Sequence, residues 1–273
     1  MRSMTINEGV EMAKKDGVGY GDQTQTKIEH LTKILGMHLK VTQAVLNKHR
    51  YFQSTYRYVE VTAGKGKSPD GLILGSPLVF LALAETLGET LLYRADFIEC
   101  NQCNIKELEQ NIHTYAQKNG WKIQEVYLHP GEYQQVIPKL FPCENPKEFG
   151  LVFVDPSGEM PDLETIRYIA RMRPKMEILL YTPAGNIKRL FPHSGVYLSD
   201  MMKEIGKTNW LIRRSRRGDK KQWTFLLGSN TDIFKDYESI GFYRLDSPEA
   251  QKFFPKLNLS KKQFQDLIQP KLF

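Results

Sequence analysis

Cysteine is scarce in this chain. Its 273 residues include three, Cys100, Cys103 and Cys143, an odd and sparse set that supplies no disulfide framework. Cys100 and Cys103 form C-N-Q-C, the shape of half a zinc site. No second close pair follows, and His113 does not complete a standard spacing, so no metal is expected and the two thiols read as ordinary groups near a strand end. No run reaches the roughly 18 apolar residues that a membrane helix needs. The opening stretch MRSMTINEGVEMAKKDGVG has no apolar signal-peptide core, and a cytoplasmic protein is the expectation. Internal repeats and low-complexity linkers are absent. So are two phosphate-binding fingerprints. The loop V-E-V-T-A-G-K-G ends at Gly66, and Pro69 stands where G-x-G-x-x-G needs its last glycine; G-x-x-x-x-G-K-[ST] does not occur, which argues against ATP held in the P-loop manner.

What is present suits a folded soluble protein. Apolar residues make up 41% and charged residues 25%, and the length allows one sizeable α/β core or two small domains. The formal net charge of +7 favours an anionic partner, nucleic acid or an anionic membrane, without choosing between them.

Apolar periodicity alternates along the chain. Ile28, Leu31, Ile34, Leu35, Leu39 and Val45 recur at helical spacing between Thr24 and about Phe52. Tyr56–Thr62 reads as a strand. Ser76 as N-cap and Pro77 in the first turn open the helical run SPLVFLALAETLG, with Gly88 at its end. TLLYRADFIE is a second strand, and NIKELEQNIHTYAQKNG an amphipathic helix with the stripe Ile105, Leu108, Ile112, Tyr115. WKIQEVYL is a third strand, and GEYQQVIPKLF a helical piece that Pro138 can interrupt. FGLVFVDP is a fourth strand, DLETIRYIARM a helix and MEILLYTP a fifth strand. Repeated strand–helix alternation predicts a doubly wound, mainly parallel α/β sheet of the Rossmann-like kind. The expected organisation is an N-terminal flexible segment and helical cap over 1–55 and a core over 56–230. A basic, turn-rich insertion lies near 186–222, and a C-terminal extension over 231–273 packs on the core. WTFLLGSN is a late strand.

Ligands of such sheets gather at the carboxyl ends of the strands. There Thr62, Ala63, Gly64 and Gly66 form a loop whose glycines let the backbone turn tightly and approach a ligand. Glu60 is a charge inside a strand. It either faces the pocket and receives an ammonium or backbone donors, or stands on a solvent side or beside a Lys or Arg. Glu99 ends the second strand, where an acid can accept both ribose hydroxyls; Asp96 competes for this role, and a helix-start carboxylate is the plain alternative. Cys100 follows directly. Glu132 can reach an adenine amino group with Tyr133 flanking the ring, or simply favour a helix start. His129 is either a base or an ordinary loop histidine.

Asp155 ends the most apolar strand, and Pro156 stiffens the backbone after it. Ser157 and Gly158 leave room for a planar group. Asp155 and the Pro156 carbonyl could accept an exocyclic N–H and turn the nitrogen lone pair toward a sulfonium methyl, catalysis by positioning rather than by a covalent nucleophile. The alternative is that Asp155 binds cofactor or magnesium. Glu159 and Asp162 are further acids here, and either can start the next helix.

The order YVEVTAGKG, DFIECN, HPGE, FVDPSG resembles a class I S-adenosylmethionine-dependent methyltransferase. More narrowly it resembles the three-Cys-motif partner (TcmP-like) family, through YGDQTQTKIEH with Lys27 and His30, VEVTAGKG, GSP, DPSG and PAGNIKR, over roughly residues 20–190. The resemblance implies S-adenosyl-L-methionine as cofactor. It implies Gly64 and Gly66 at the methionine portion, Glu60 at its amino end, Glu99 at the ribose and Glu132 at the adenine. Asp155, Pro156 and Ser157 would face the methyl acceptor, with Asp155 also near the cofactor. Glu60 and Glu132 stand where aspartate is more usual, and DPSG lacks the aromatic of the D-P-P-Y/F pattern.

The stretch KEIGKTNWLIRRSRRGDKKQW concentrates cations. Lys203, Lys207, Arg213, Arg214, Arg216, Arg217, Lys220 and Lys221 could form a phosphate groove, with Trp210 and Trp223 as stacking faces. Asn186, Lys188 and Arg189 could line the acceptor side. The expected acceptor is nucleic acid, DNA or RNA, at an exocyclic base amine such as adenine N6, with a dedicated protein partner also conceivable. A protein or small-molecule acceptor, or a non-catalytic binding module, is the alternative.

Overall fold

The computed structural model describes residues 24–48, 54–156, 161–183, 185, 187, 189, 197–214, 223–232 and 236–252. The chain divides into two compact units, Met1–Val136 and Ile137–Phe273.

In the first unit, helix α1 (Thr24–Lys48) buries Leu31, Ile34, Leu35 and Leu39, together with His30 and His38. This is the one-sided stripe that i, i+3, i+4 spacing produces. His38 meets the Tyr56 hydroxyl at 3.0 Å. Strand β1 (Tyr56–Glu60) is buried at every position and is shorter than the Tyr56–Thr62 expected. Helix α2 (Ser76–Glu85) follows, its apolar run laid on β1 so that Tyr58 stacks on Phe80 with ring centroids 3.9 Å apart. Its N-cap is Gly75, not Ser76, whose hydroxyl turns instead to Glu60. The helix ends at Glu85, and Gly88 opens a separate 3-10 turn, Gly88–Thr90.

Strand β2 (Tyr93–Glu99) runs parallel to β1, with Glu60 opposite Phe97. Helix α3 (Gln102–Asn119) starts earlier than its apolar stripe suggests. The Asn101 side chain caps the N–H groups of Cys103 and Asn104, and Gly120 closes the far end in the left-handed conformation. Ile105, Leu108 and Ile112 form its buried face. Strand β3 (Glu125–Pro130) pairs parallel with β2, giving the order β3-β2-β1 within this unit. Helix α4 (Tyr133–Leu140) passes from one unit into the next and contains Pro138.

In the second unit, β4 (Phe149–Val154) and β5 (Lys175–Pro183) are parallel. The crossover between them carries α5 (Leu163–Met172), capped by Asp162 on the Thr165 N–H at 3.0 Å. Helix α6 (Tyr197–Ile205) and strand β6 (Asn209–Arg213) come next. Both fall in the 186–222 segment that charge and turn residues had marked as an insertion. Strand β7 (Trp223–Ser229) is antiparallel to both β5 and β6, and β8 (Phe242–Arg244) pairs antiparallel with β6. The order in this unit is β4-β5-β7-β6-β8, and a short helix α7 (Pro248–Gln251) follows. Strands with both faces covered read as continuous apolar runs, as FGLVFV and WTFLLGS do. The result is a mixed parallel and antiparallel α/β sheet architecture flanked by helices, Rossmann-like in its strand–helix alternation. Among the described residues, no helix is long and apolar enough to cross a membrane.

Candidate functional site

The loop after β1 is fixed by its own backbone. The Ala63 N–H donates to the Ile98 carbonyl at 2.9 Å, and the Gly75 N–H to the Gly66 carbonyl at 2.7 Å. From α3, the Asn111 side-chain amide donates to the Lys65 carbonyl at 2.7 Å. Gly64 and Gly66 have φ of 63° and 80°, the left-handed region that side chains disfavour. A Cβ on Gly66 would sit 2.7 Å from the Leu108 side chain, and one on Gly75 would sit 2.9 Å from the Gly66 backbone. The glycine of G-S-P is therefore needed for close approach of two backbone segments, a role that the sequence alone did not reveal.

Four of the expected binding residues converge at this rim. The Gly64 N–H donates to Glu99 Oε2 at 2.8 Å, and the Asn101 N–H to Glu99 Oε1 at 2.9 Å. The Gly131 N–H reaches the Glu99 carbonyl at 3.0 Å, which ties the end of β2 to the turn before Glu132. Burial raises the Cys100 thiol pKa, and the Glu99 and Glu132 carboxylates raise it further, so these three side chains share one neighbourhood. Glu132 is exposed, and its carbonyl accepts the Gln135 and Val136 N–H groups at the start of α4. Tyr133 begins that helix and is buried. Thr62 is half-buried and Ala63 buried. Glu60 is 1% exposed and accepts the Tyr58 hydroxyl at 3.1 Å and the Ser76 hydroxyl. It is an inward-facing carboxylate held by hydroxyls, not one on a solvent side.

Asp96 is excluded from the ribose role by its surroundings. It is fully buried and takes Arg57 Nε at 2.9 Å, Arg94 Nη2 at 3.0 Å and His129 Nε2 at 2.8 Å. Burial alone would raise its pKa. The His129 and Arg94 hydrogen bonds and the Arg57 and Arg94 charges outweigh that and pull it down to about 2. His129 is not a loop histidine; it is a β3 residue bound to Asp96.

In the second unit, Asp155 directly follows β4 and is half-buried, with Pro156 buried after it. Ser157, Gly158 and Glu159 lie outside the described residues. Asp162 is the N-cap of α5, so its carboxylate has a structural task.

The proposed cation groove is corrected at its centre. Arg213 is fully buried, its guanidinium 3.7 Å from the centroid of the Trp223 ring and Nη2 donating to the Trp223 carbonyl at 3.4 Å. Trp223 is 1% exposed, and Trp210 is buried with its indole N–H on the Lys207 carbonyl at 3.0 Å. Neither tryptophan offers a stacking face. Lys207 is buried too, donating to the Pro174 and Met176 carbonyls at 3.1 and 2.8 Å, and burial lowers its pKa to about 8 against the opposing charge of Glu177. All four residues of the W-L-I-R run in β6 are buried, and its arginine extends along a tryptophan rather than into water. Arg189, Lys203 and Arg214 are exposed. Asn186, Lys188, Arg216, Arg217, Lys220 and Lys221 lie outside the described residues.

The glycine cradle fits a nucleoside with an amino-acid tail. Positive φ at Gly64, with open space around its Cβ position, leaves backbone accessible there, and Glu99 Oε2 carries one donor, which leaves a lone pair for a hydroxyl. Asn101, Asn104 and Asn111, which support this rim, were missed in the sequence. The signal available was an asparagine just ahead of the amphipathic stripe, in the position of an N-cap.

No protein-family model and no curated protein matches the sequence. Among solved structures, a Legionella pneumophila protein of the DUF519 family shares 12% identity, aligned over 84% of this chain and 95% of that one, with a TM-score of 0.47. A methyltransferase from Geobacter sulfurreducens shares 11% identity over 84% of this chain and 89% of that one, TM-score 0.44. A SAM-dependent methyltransferase from Agrobacterium tumefaciens shares 10% identity over 78% and 64%, TM-score 0.43.

Proposed function

We propose that this chain is an S-adenosylmethionine-dependent methyltransferase, and that its narrower kinship is with the three-Cys-motif partner (TcmP-like) family. The observation that carries the reading is the contact of the Gly64 N–H with Glu99, which joins a positive-φ glycine loop to an acid at the end of the neighbouring strand. Gly64 and Gly66 would hold the methionine portion of the cofactor and Glu60 would accept its ammonium. Glu99 would accept ribose hydroxyls, with Cys100 beside it, and Glu132 would accept the adenine amino group. S-adenosylmethionine supplies an electrophilic sulfonium methyl. Asp155 and the Pro156 carbonyl would accept N–H bonds from an acceptor amine and so aim its lone pair at the sulfonium methyl, with Ser157 on the acceptor side.

For the acceptor, burial of Arg213, Lys207, Trp210 and Trp223 takes these four out of a phosphate groove, and the reading preferred here is a protein or small-molecule amine. The competing reading keeps a nucleic-acid base as acceptor, on the net charge of +7 and the exposed Arg189 and Arg214. Tritiated methyl transfer from S-adenosylmethionine to separate pools of DNA, RNA, protein and small amines tests this. Label in protein or small amines, lost in Asp155→Ala, is the expected result. Label confined to DNA or RNA would overturn the acceptor assignment, and donor binding without transfer to any pool would leave a binding module.

A further inference from the structure

Beyond the donor rim, the first unit holds a cavity of about 540 Å³ between α1, α2 and the far part of the glycine loop. Small-molecule pockets typically span roughly 300–1,000 Å³ and combine apolar walls with a few placed polar groups. Here Ile28 comes from α1, Leu72, Ile73 and Leu74 from the loop, and Val79 and Leu83 from α2. Leu72 is 83% exposed, the most exposed large apolar side chain among the described residues. A hydrophobe left in water beside an apolar cavity is the kind of surface that a ligand covers.

The wall is preformed. The Ser68 N–H donates to the Ile73 carbonyl at 2.8 Å, the Gly71 N–H to the Ser68 carbonyl at 2.9 Å, and Lys67 and Leu74 form an antiparallel bridge. Three polar residues reach the cavity: Gln25, Thr32 and Asp70. Thr32 has given its hydroxyl proton to the Ile28 carbonyl, and the Gln25 amide donates to Glu29. The formal charge on the lining is that of Asp70. Its Oδ1 accepts both the Ser68 hydroxyl and the Leu72 N–H, which leaves Oδ2 with its lone pairs. The same Ser68 and Leu72 hydrogen bonds lower the Asp70 pKa, so the group is ionised at neutral pH.

We propose that this cavity is a second ligand site, built for an apolar molecule that carries a cationic amine. The chain or ring of the ligand lies against Leu72, Val79 and Leu83, and its ammonium pairs with Asp70. The site stands independently of the donor reading, because none of its lining residues belongs to the donor rim.

Calorimetry on the full chain tests it, with 4-phenylbutylamine as the probe and 4-phenylbutan-1-ol as its uncharged counterpart. The amine is expected to bind at least about tenfold more tightly than the alcohol, a difference of roughly 1.4 kcal/mol. Asp70→Asn keeps the Oδ1 acceptor that holds the loop and should abolish that preference. Leu72→Ser, at an exposed position, should weaken both probes, and circular-dichroism melts check that both variants are folded. Equal affinity for amine and alcohol, an amine preference retained in Asp70→Asn, or no binding of either probe would overturn the proposal.

Discussion

The Gly64 N–H donates to the Glu99 carboxylate at 2.8 Å, across 35 positions of sequence. The bond ties the β1 loop to the end of β2. Hydrogen bonds to a charged group contribute about 1.5–3 kcal/mol, so Glu99→Ala should lower stability by about that amount in urea unfolding. Glu99→Gln keeps one acceptor oxygen but sets its amide nitrogen against either the Gly64 or the Asn101 N–H, so it should unfold between the wild type and Glu99→Ala, and bind S-adenosylhomocysteine at least about tenfold more weakly. Equal stability of Glu99→Ala and wild type would remove the structural half of this account.

The loop glycines should separate by mechanism. Gly64 has φ of 63° with open space around its Cβ position, so Gly64→Ala costs only left-handed strain, about 1–2 kcal/mol. Gly75→Ala drives a methyl to 2.9 Å from the Gly66 backbone, which side-chain motion cannot relieve. Chemical denaturation should rank Gly75→Ala as the more damaging change; the reverse ranking would contradict the close-approach argument.

Asp96 predicts an acid-sensitive step. Its folded pKa lies near 2, below the ordinary value of 3.8. A depressed carboxylate contributes stability that is present above the unfolded pKa and is lost as pH falls through the folded one. A shift of that size corresponds to about 2 kcal/mol. Unfolding measured between about pH 5 and pH 2 should show the wild type losing roughly this much more than Asp96→Asn. At neutral pH, Asp96→Asn should itself be destabilised by about 3–5 kcal/mol, because Arg57 stays buried without its anion. Parallel pH profiles for the two proteins would refute the assignment.

Arg213 should behave as a core residue. Arg213→Ala removes a guanidinium packed on Trp223 and is expected to cost about 2 kcal/mol or more of stability. Arg214→Ala, one position along and exposed, should change stability by less than about 0.5 kcal/mol. Thermal melts distinguish these outcomes, and equal melting temperatures would return Arg213 to the surface.

Much of the architecture was legible in periodicity. The apolar strand runs and the amphipathic α3 stripe have the spacing that burial requires. The order Glu60, Gly64, Glu99, Glu132 follows strand ends, which sequence can mark. What sequence hid were effects of tertiary packing. Gly75 is fixed by the approach of Gly66, and Asp96 by two arginines and a histidine drawn from β1, β2 and β3. The segment that holds β6 was read as a charged surface because RRSRR, which starts at the strand's last residue, dominates the composition around it, whereas Trp210, Leu211, Ile212 and Arg213 are all buried. Charge density describes composition, and a single arginine can satisfy itself over a tryptophan face inside a sheet.

Isothermal titration of S-adenosylhomocysteine into the wild-type chain and into Gly64→Val tests the donor cradle most directly. The account predicts one site in the wild type and none in a variant that still melts cooperatively. Affinity retained in Gly64→Val, or no uptake by folded wild-type protein, would contradict it.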